Sequence, residues 1–386
     1  MREFTMTSLD SVPSSAAQGE YGPYRPPDVT VVLPTYNERD NIPVAIDRVA
    51  KALHGLHWEI VVVDDNSPDG TADLVETIAA RDGRVRCIRR IGRRGLSGAC
   101  VEGMMAAAAP IVAVMDSDLQ HDETLLPKMF ERVRTGDAEI VVGSRYVEGG
   151  DAGGGLSRVR HAGSMVANGL ARVLLGVKLT DPMSGFFMLE RSMVERLEPK
   201  LSHQGFKILL DLVASAPRST KVVELPYTFR ERTAGESKLD ELVTIEFLAL
   251  IVSKLLFNAV SVRFILFMAV GASGVVVHLA TLRTGIALPG ITFEVAQTAA
   301  TVVAMTWNFF LNNWLTYRDR RLHGLAMIRG LLSFYLVCSV GVVANVGVAS
   351  VVHGADQVWW VAGTAGAVVG AVWNYAASAA LTWRVR

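Results

Sequence analysis

The chain has 386 residues, half of them hydrophobic, with 38 basic against 38 acidic side chains and a formal net charge of zero. That length leaves room for two domains, and the neutral balance excludes the broad basic field that holds nucleic acid, so no nucleic-acid partner is expected. The average hides a split: charged residues are spread over roughly the first 260 positions and nearly vanish after Arg263, apart from short basic clusters, so a soluble domain precedes a membrane domain. Residues 1–27 are polar, rich in Ser, Gly and Pro, and lack the apolar core of a secretory signal, which predicts a disordered tail. Cys87, Cys100 and Cys338 form no CxxC pair, which argues for a reducing compartment without a disulfide framework or a zinc site.

From Asp28 onward short β-branched runs alternate with helical stretches. Strands are predicted over 30–33, 59–65, 84–88, 111–118 and 139–145, and helices over 41–53, 71–81, 95–109 and 123–134. Such alternation predicts an α/β domain with a mostly parallel, Rossmann-like sheet, spanning 28–238. In sheets of this kind functional residues sit past the carboxyl ends of strands. Asp64 and Asp65 follow one strand, and Asp116 and Asp118 follow another.

Residues 239–262 are apolar with scattered charges (Asp240, Glu241, Glu246, Lys254) and predict amphipathic helices at a membrane interface. Four spans follow within 263–386: Phe264–Leu282, Val295–Tyr317, Leu331–Val352 and Val358–Trp383. Each is long enough to cross about 30 Å of hydrocarbon. Arginines crowd the segment before the first span, the loop between the second and third (Arg318, Arg320, Arg321, Arg329) and the tail (Arg384, Arg386). By the positive-inside rule the N-terminal domain and both termini are expected to be cytoplasmic, in a multi-pass protein of the cytoplasmic membrane.

The membrane part also repeats itself. WNFFLNNWLTYR at 307–318 returns as WNYAASAALTWR at 373–384, with Trp, Asn, an aromatic, Leu, Thr, an aromatic and Arg in register. The domain therefore reads as two parallel two-helix repeats. Asn308 and Asn374 fall inside spans, where an amide needs a partner. Interhelical bonding and a role in handling lipid are both open readings.

The strongest chemical signal is Asp116-Ser117-Asp118-Leu119-Gln120-His121. Two carboxylates at i and i+2 past a strand can converge on one hard divalent cation, Mg²⁺ or Mn²⁺, that bridges substrate phosphates, and Gln120 offers a further oxygen. A lone acidic pair would be an ordinary surface turn. Here it accompanies PTYNE at 34–38 and DDNSPDG at 64–70, each just past a strand. Tyr36 offers a face for a nucleobase, and Glu38 and Asp65 offer acceptors for a base edge or ribose hydroxyls.

With GSRY at 143–146, DPMSGF at 181–186 and FRERTAGESK at 229–238, the stretch from Val29 to Lys238 resembles the family-two glycosyltransferases of GT-A fold, and more narrowly the dolichyl- or polyprenyl-phosphate mannose synthases. Ser117 departs from the Ala usual between the two acids of that family. The membrane part resembles the GtrA-like four-helix family. The resemblance implies that Pro34, Tyr36, Glu38, Asp65 and Asp116 hold the donor nucleotide and that Asp116, Asp118 and Gln120 bind the metal. It implies that Arg145, Arg160, Ser164 and Lys238 hold the acceptor phosphate, with Asp118, Arg145 and Arg232 closest to the chemistry. A solvated surface, or lipid headgroup binding, is the alternative for the basic residues.

The expected reaction is inverting transfer of mannose from GDP-mannose to polyprenyl phosphate at the bilayer, and the chain leaves room for a homo-oligomer. A UDP-glucose-dependent polyprenyl-phosphate glucosyltransferase shares most of these motifs. A lipid-linked-sugar flippase with a regulatory soluble domain is a rival from another class. A processive polysaccharide synthase is disfavoured, because no QxxRW motif follows the acidic cluster.

Overall fold

The computed structural model describes residues 25–151, 169, 179–202, 207–230, 241–256, 260–354 and 359–384. All but three residues of the predicted N-terminal tail lie outside this range. The first half alternates strand and helix as expected: β1 (Val29–Thr35), α1 (Ile42–Ala52), β2 (Trp58–Asp64), α2 (Thr71–Ala79), β3 (Val85–Arg89), α3 (Leu96–Ala106), β4 (Ile111–Val114), α4 (Leu126–Arg134) and β5 (Ile140–Ser144). Then come β6 (Phe187–Glu190), α5 (Arg191–Leu197), α6 (Ile208–Ser215) and β7 (Val222–Pro226).

The seven strands form one sheet in the order β3-β2-β1-β4-β6-β5-β7. All pairings are parallel except those of β6, which runs antiparallel to both β4 and β5. Every residue of β1 and β2 is buried, which explains their unbroken apolar runs: helices cover both faces. Alternate side chains divide between two cores. Val32, Val61, Val63, Val112 and Val114 join the core capped by Met104 of α3, Val194 of α5 and Leu209 of α6. Val31, Leu33, Ile60, Val62 and Ala113 join the core capped by Ile42 and Val49 of α1 and Met129 of α4. Full burial of each such Val, Leu or Ile contributes roughly 1.5–3 kcal/mol.

The next helix, α7 (Glu241–Leu255), is one continuous helix. Ala249, Leu250 and Ile251 enter the core under α3 and α6, while Leu248, Val252, Leu255 and Leu256 stay exposed. Lys254 pairs with the fully buried Asp211 of α6 and donates to the Lys200 carbonyl (3.0 Å) and Ser215 Oγ (2.8 Å). The helix is thus bolted to the soluble domain by one face and offers an apolar face outward.

Four long helices follow: α8 (Val262–Ile286), α9 (Phe293–Leu311), α10 (Leu325–Gly354) and α11 (Trp359–Ala377). α8 packs with α9, and α10 with α11. Among the described residues two segments, Val262–Ile286 and Leu325–Ala344, are long and apolar enough on their own to cross a bilayer. Outward side chains such as Val276, Leu336 and Val343 are about 70% exposed (68%, 68% and 72%), so the outside of the bundle is apolar, as a lipid-facing surface is. α9 and α11 both end in a π-helical turn, Asn312–Thr316 and Ser378–Thr382, at matching places of the repeat. At that end Arg263 pairs with Asp319 (2.8 Å), Trp383 Nε1 donates to Asn313 Oδ1 (3.0 Å), and the Tyr317 and Trp383 rings stack 4.2 Å apart. The start of α8, the loop after α9 and the C-terminal turn therefore share one end of the bundle.

Candidate active site

Parallel register aligns Thr35 at the end of β1 with Asp64 at the end of β2, and Val32 with Val114 at the end of β4. The loops after these three strands consequently meet at one edge of the sheet. Buried Asp64 ties the first two together. It accepts from Thr35 Oγ1 (3.1 Å), the Ser67 amide (2.8 Å) and Ser67 Oγ (2.6 Å), and Ser67 Oγ in turn accepts the Asn37 amide (2.9 Å). The Glu38 amide donates to Thr71 Oγ1 (3.1 Å) and the Arg39 amide to Asp69 Oδ2 (3.2 Å). Asn37 and Asn66 take left-handed backbone angles (φ 57° and 52°), which asparagine tolerates better than most residues.

Asp65, expected at the nucleotide, lies under that surface. Its carboxylate accepts from the Arg90 guanidinium and the Gly95 amide (2.7 Å). Burial pushes its pKa up, while Gly95 and Arg90 hold it down. Asp65 thereby fixes Arg90 and the start of α3. Tyr36 stands at the surface with the Arg94 guanidinium 4.8 Å from its ring centre, and Glu38 Oε2 accepts from Asn41 Nδ2 (2.8 Å). An aromatic face beside a cation suits a flat, electron-rich ring. Pro34 offers its carbonyl to Ser117 Oγ (3.2 Å), so the departure at Ser117 adds a tie between the β1 loop and the acidic turn.

The acidic turn is tightly wound. The Asp116 amide donates to His121 Nδ1 (3.2 Å), and His121 Nε2 lies 3.8 Å from Asp116 Oδ2. The His121 ring stacks on Phe186 (5.2 Å) and meets Tyr227 edge-on (5.8 Å). The Gln120 amide donates to Asp118 Oδ1 (3.2 Å), and between them Leu119 is held at φ 66°, a strained angle for leucine. The Asp116 side chain is about a third (37%) exposed. A methyl group on Gly185 would stand 2.6 Å from Asp116 Oδ2, so the glycine of DPMSGF makes room for that carboxylate. Burial raises the Asp116 pKa, His121 lowers it, and the neighbouring Asp118 raises it again. Two carboxylates crowded two residues apart, in a site that penalises their shared charge, fit a divalent cation. Among the described residues no three His, Cys, Asp or Glu side chains are gathered as a ready-made metal-ligand set. The Gln120 amide nitrogen donates to the Arg230 carbonyl (3.1 Å).

Arg230 is the residue that motif reading missed. Its amide donates to the Gln120 carbonyl (2.9 Å), its Nη1 to Glu123 Oε2 (2.6 Å) and the His121 carbonyl (3.3 Å), and its Nη2 to Asp122 Oδ1 (2.9 Å). It staples the chain at Phe229 and Arg230 to the acidic turn. The acids at Asp122 and Glu123, directly after DSDLQH, were the signal.

Arg145 makes a bidentate pair with fully buried Asp181 (2.8 and 2.9 Å). Burial opposes its charge, yet Asp181 holds its pKa above the usual arginine range. Two of its five N–H donors are used in this pair. Glu224 accepts the Thr180 and Asp181 amides (2.8 and 3.0 Å) and so anchors the DPMSGF turn to β7. The DPMSGF turn links Arg145 to the acidic turn, since Asp181 holds Arg145 while Gly185 packs against Asp116. Arg160, Ser164, Arg232 and Lys238 lie outside the described residues.

Residues 30–198 match the family described as glycosyl transferase family 2, and residues 266–383 match the GtrA/DPMS transmembrane domain. A dolichol-phosphate mannosyltransferase from Pyrococcus furiosus is 37% identical over 82% of this chain and 88% of its own. A polyprenol monophosphomannose synthase from Mycolicibacterium smegmatis is 36% identical over 59% of this chain and 89% of its own. Among solved structures, glucosyl-3-phosphoglycerate synthase from Mycobacterium tuberculosis aligns over 59% of this chain and 80% of its own, at 24% identity and a TM-score of 0.44.

Proposed function

We propose that this chain, which belongs to the dolichol-phosphate mannosyltransferase family within the family-2 glycosyltransferases, transfers mannose from GDP-mannose to a polyprenyl phosphate with inversion, giving mannosyl-phosphoryl-polyprenol and GDP. The observation that carries this reading is the meeting of three loops at one sheet edge, with Asp116 and Asp118 on one of them and the 181–186 turn joining them to Arg145 through Asp181 and Gly185. Asp116 and Asp118, with Gln120 nearby, would hold Mg²⁺ or Mn²⁺, which when bound neutralises charge on the donor diphosphate.

The chain's own residues then divide the work. Tyr36 and Arg94 receive the nucleobase, with Pro34 and Glu38 at its edge. Asp65 acts through Arg90 and Gly95, keeping the base of α3 in place under the nucleotide. The acceptor phosphate is already ionised near neutral pH, so the site has to align it behind the anomeric carbon, and a protein base is not required. Arg145, braced by Asp181, offers its remaining donors to that phosphate, as guanidinium matches phosphate oxygens well. Arg160, Ser164, Arg232 and Lys238 complete the anionic pocket on this reading, and Arg230 sets where the segment bearing Arg232 and Lys238 begins. In-line attack inverts the centre, so an α-linked donor gives a β-linked lipid.

The bundle that follows α7 crosses the membrane four times, with the catalytic domain and both termini on the cytoplasmic side. The shared end of the bundle, where Arg263 meets Asp319, supports this topology, because arginine-rich loops collect there. The exposed apolar face of α7 rests on the lipid, where the long acceptor is dissolved.

A donor panel tests the reaction. Purified full-length protein is offered GDP-mannose and UDP-glucose with one polyprenyl phosphate, and labelled lipid is separated by thin-layer chromatography. GDP-mannose should exceed UDP-glucose by at least about 100-fold, the range a site built on hydrogen bonds to its substrate can reach. Equal or greater use of UDP-glucose would reassign the enzyme as a glucosyltransferase.

A further inference from the structure

Aromatic rings pack between the acidic turn and Arg145, and the reaction as read above leaves them without a task. His121 closes the acidic cluster, Phe186 ends the DPMSGF turn, and Tyr227 and Phe229 follow β7. The His121 ring stacks on Phe186 (5.2 Å between centres) and lies 5.9 Å from the Phe229 ring. Phe186 and Phe229 each meet Tyr227 edge-on (5.8 and 6.4 Å). His121, Phe186 and Tyr227 are buried, and Phe229 is half-buried. Edge-on and stacked pairs of this kind favour one mutual orientation, and a close-packed interior passes a displacement on instead of absorbing it.

The two ends of this pack carry groups assigned to the chemistry. At one end His121 Nδ1 accepts the Asp116 amide (3.2 Å), and Nε2 stands 3.8 Å from Asp116 Oδ2. At the other end the Arg145 guanidinium carbon lies 5.2 Å from the centre of the Phe229 ring. Both oxygens of Asp181 hold one edge of that guanidinium, and the ring of Phe229 backs it. Phe229 is itself pinned by main chain. Its amide donates to the Asp151 carbonyl (2.8 Å), and the next amide, that of Arg230, donates to the Gln120 carbonyl (2.9 Å). The DPMSGF turn thus joins Asp116 to Arg145 along the chain, while His121 and Phe229 join them through space.

We propose that Phe229, backed by His121, is a positioning residue that sets the separation between the metal-binding carboxylates and the arginine that receives the acceptor phosphate. This rests on the roles given above to Asp116, Asp118 and Arg145. In-line transfer needs donor and acceptor at one fixed distance, and a misplacement of about 1 Å can cost on the order of 100-fold. Phe229 acts through Arg145 on one side and through His121 on the other.

The test uses full-length protein, GDP-mannose and a short polyprenyl phosphate. Phe229→Leu keeps an apolar side chain and removes the ring. Its kcat at saturating lipid should fall about tenfold, with the apparent KM for GDP-mannose and the metal requirement within about twofold of wild type. Phe229→Met, which fills the space with a flexible chain, should show the same loss, and Phe229→Tyr, which keeps the ring, should stay within about threefold of wild type. A merely structural role would lower kcat, donor binding and melting temperature together and would gain nothing from tyrosine. The route through Arg145 is read from a double-mutant cycle: in an Arg145→Lys background, Phe229→Leu should cost less than about a further twofold. Normal kcat in the leucine and methionine variants, a tyrosine variant no better than leucine, or losses that multiply fully in the cycle would overturn the proposal. A wild-type protein that transfers no mannose would sink the reaction reading and this one with it, whereas normal transfer by Phe229→Leu sinks this one alone, so the two failures are told apart.

Discussion

The two halves of this chain differ in how they treat the polar groups at their centres. In the soluble half nearly every charged side chain near the cleft has a specific partner: Asp64 with Ser67, Asp65 with Arg90, Arg145 with Asp181, Arg230 with Asp122 and Glu123. In the membrane half, asparagines at matching positions of the two repeats leave their oxygens unpaired against Gly274 and Gly341. A fully satisfied network holds its members rigid, which suits chemistry that depends on alignment. Dense pairing therefore marks the scaffold that aligns the cluster of motifs at the sheet edge.

The contrast is broken most severely at the acidic turn. Asp118→Ala should lower transfer at least about 100-fold, and a chelator should do the same to wild type, since both remove electrostatic stabilisation of the leaving diphosphate. Far-ultraviolet circular dichroism should be unchanged. Retention of normal rates in the variant or with chelator would remove the metal from the account.

Gly185→Ala sharpens the same point without touching a charge. The added methyl would stand 2.6 Å from Asp116 Oδ2 and must displace the carboxylate. Transfer should fall about tenfold or more, with a higher metal requirement. A variant with unaltered metal dependence would mean that the position of Asp116 is not critical.

Arg230→Ala tests whether a residue outside the cleft positions one inside it. The arginine is about a third exposed (35%), so the loss of stability should be small, about 1 kcal/mol or less. Transfer should nevertheless fall about tenfold, mainly through a higher apparent KM for the lipid, because the chain at Phe229 and Arg230 loses its anchor. Arg230→Lys should recover only part of this, lacking the forked geometry. An effect confined to the donor KM would place the anchor's action elsewhere.

The smallest effect belongs to Ser117→Ala. It deletes one hydrogen bond to the Pro34 carbonyl, worth about 1 kcal/mol, and restores the residue usual in the family. Transfer should stay within about twofold of wild type, with a slightly lower melting temperature.

Much of this was legible in the sequence, for a physical reason in each case. The strands from β1 to β5 announce themselves because both faces of a parallel sheet are buried, which demands unbroken β-branched runs such as VTVVL and EIVVV. The acids past β2 and β4 lie where such a sheet opens its crevice. β6 was not legible: four residues carry no period, and its antiparallel direction is set by its place between β4 and β5. β7 was missed because its residues are only half-buried and end in Pro226. Within the site, sequence could rank Asp64 and Asp65 only as a pair. The structure gives them separate tasks, since Asp64 closes the β2 loop and Asp65 braces Arg90. Arg230 escaped notice because its importance lies in partners over 100 positions earlier, Asp122 and Glu123. The membrane asparagines were visible as a repeat, but their missing partners were not, because an absent hydrogen bond leaves no trace in a sequence.

The division of labour is tested most directly by one assay run on two variants side by side: the initial rate of mannose transfer from GDP-mannose to a short, detergent-soluble polyprenyl phosphate by full-length Asp118→Ala and Asn308→Leu/Asn374→Leu. The account predicts a loss of at least about 100-fold in the first and a rate within about twofold of wild type in the second. A membrane variant that loses transfer as severely as the acidic-turn variant would contradict it, and would move the asparagines into the catalytic site.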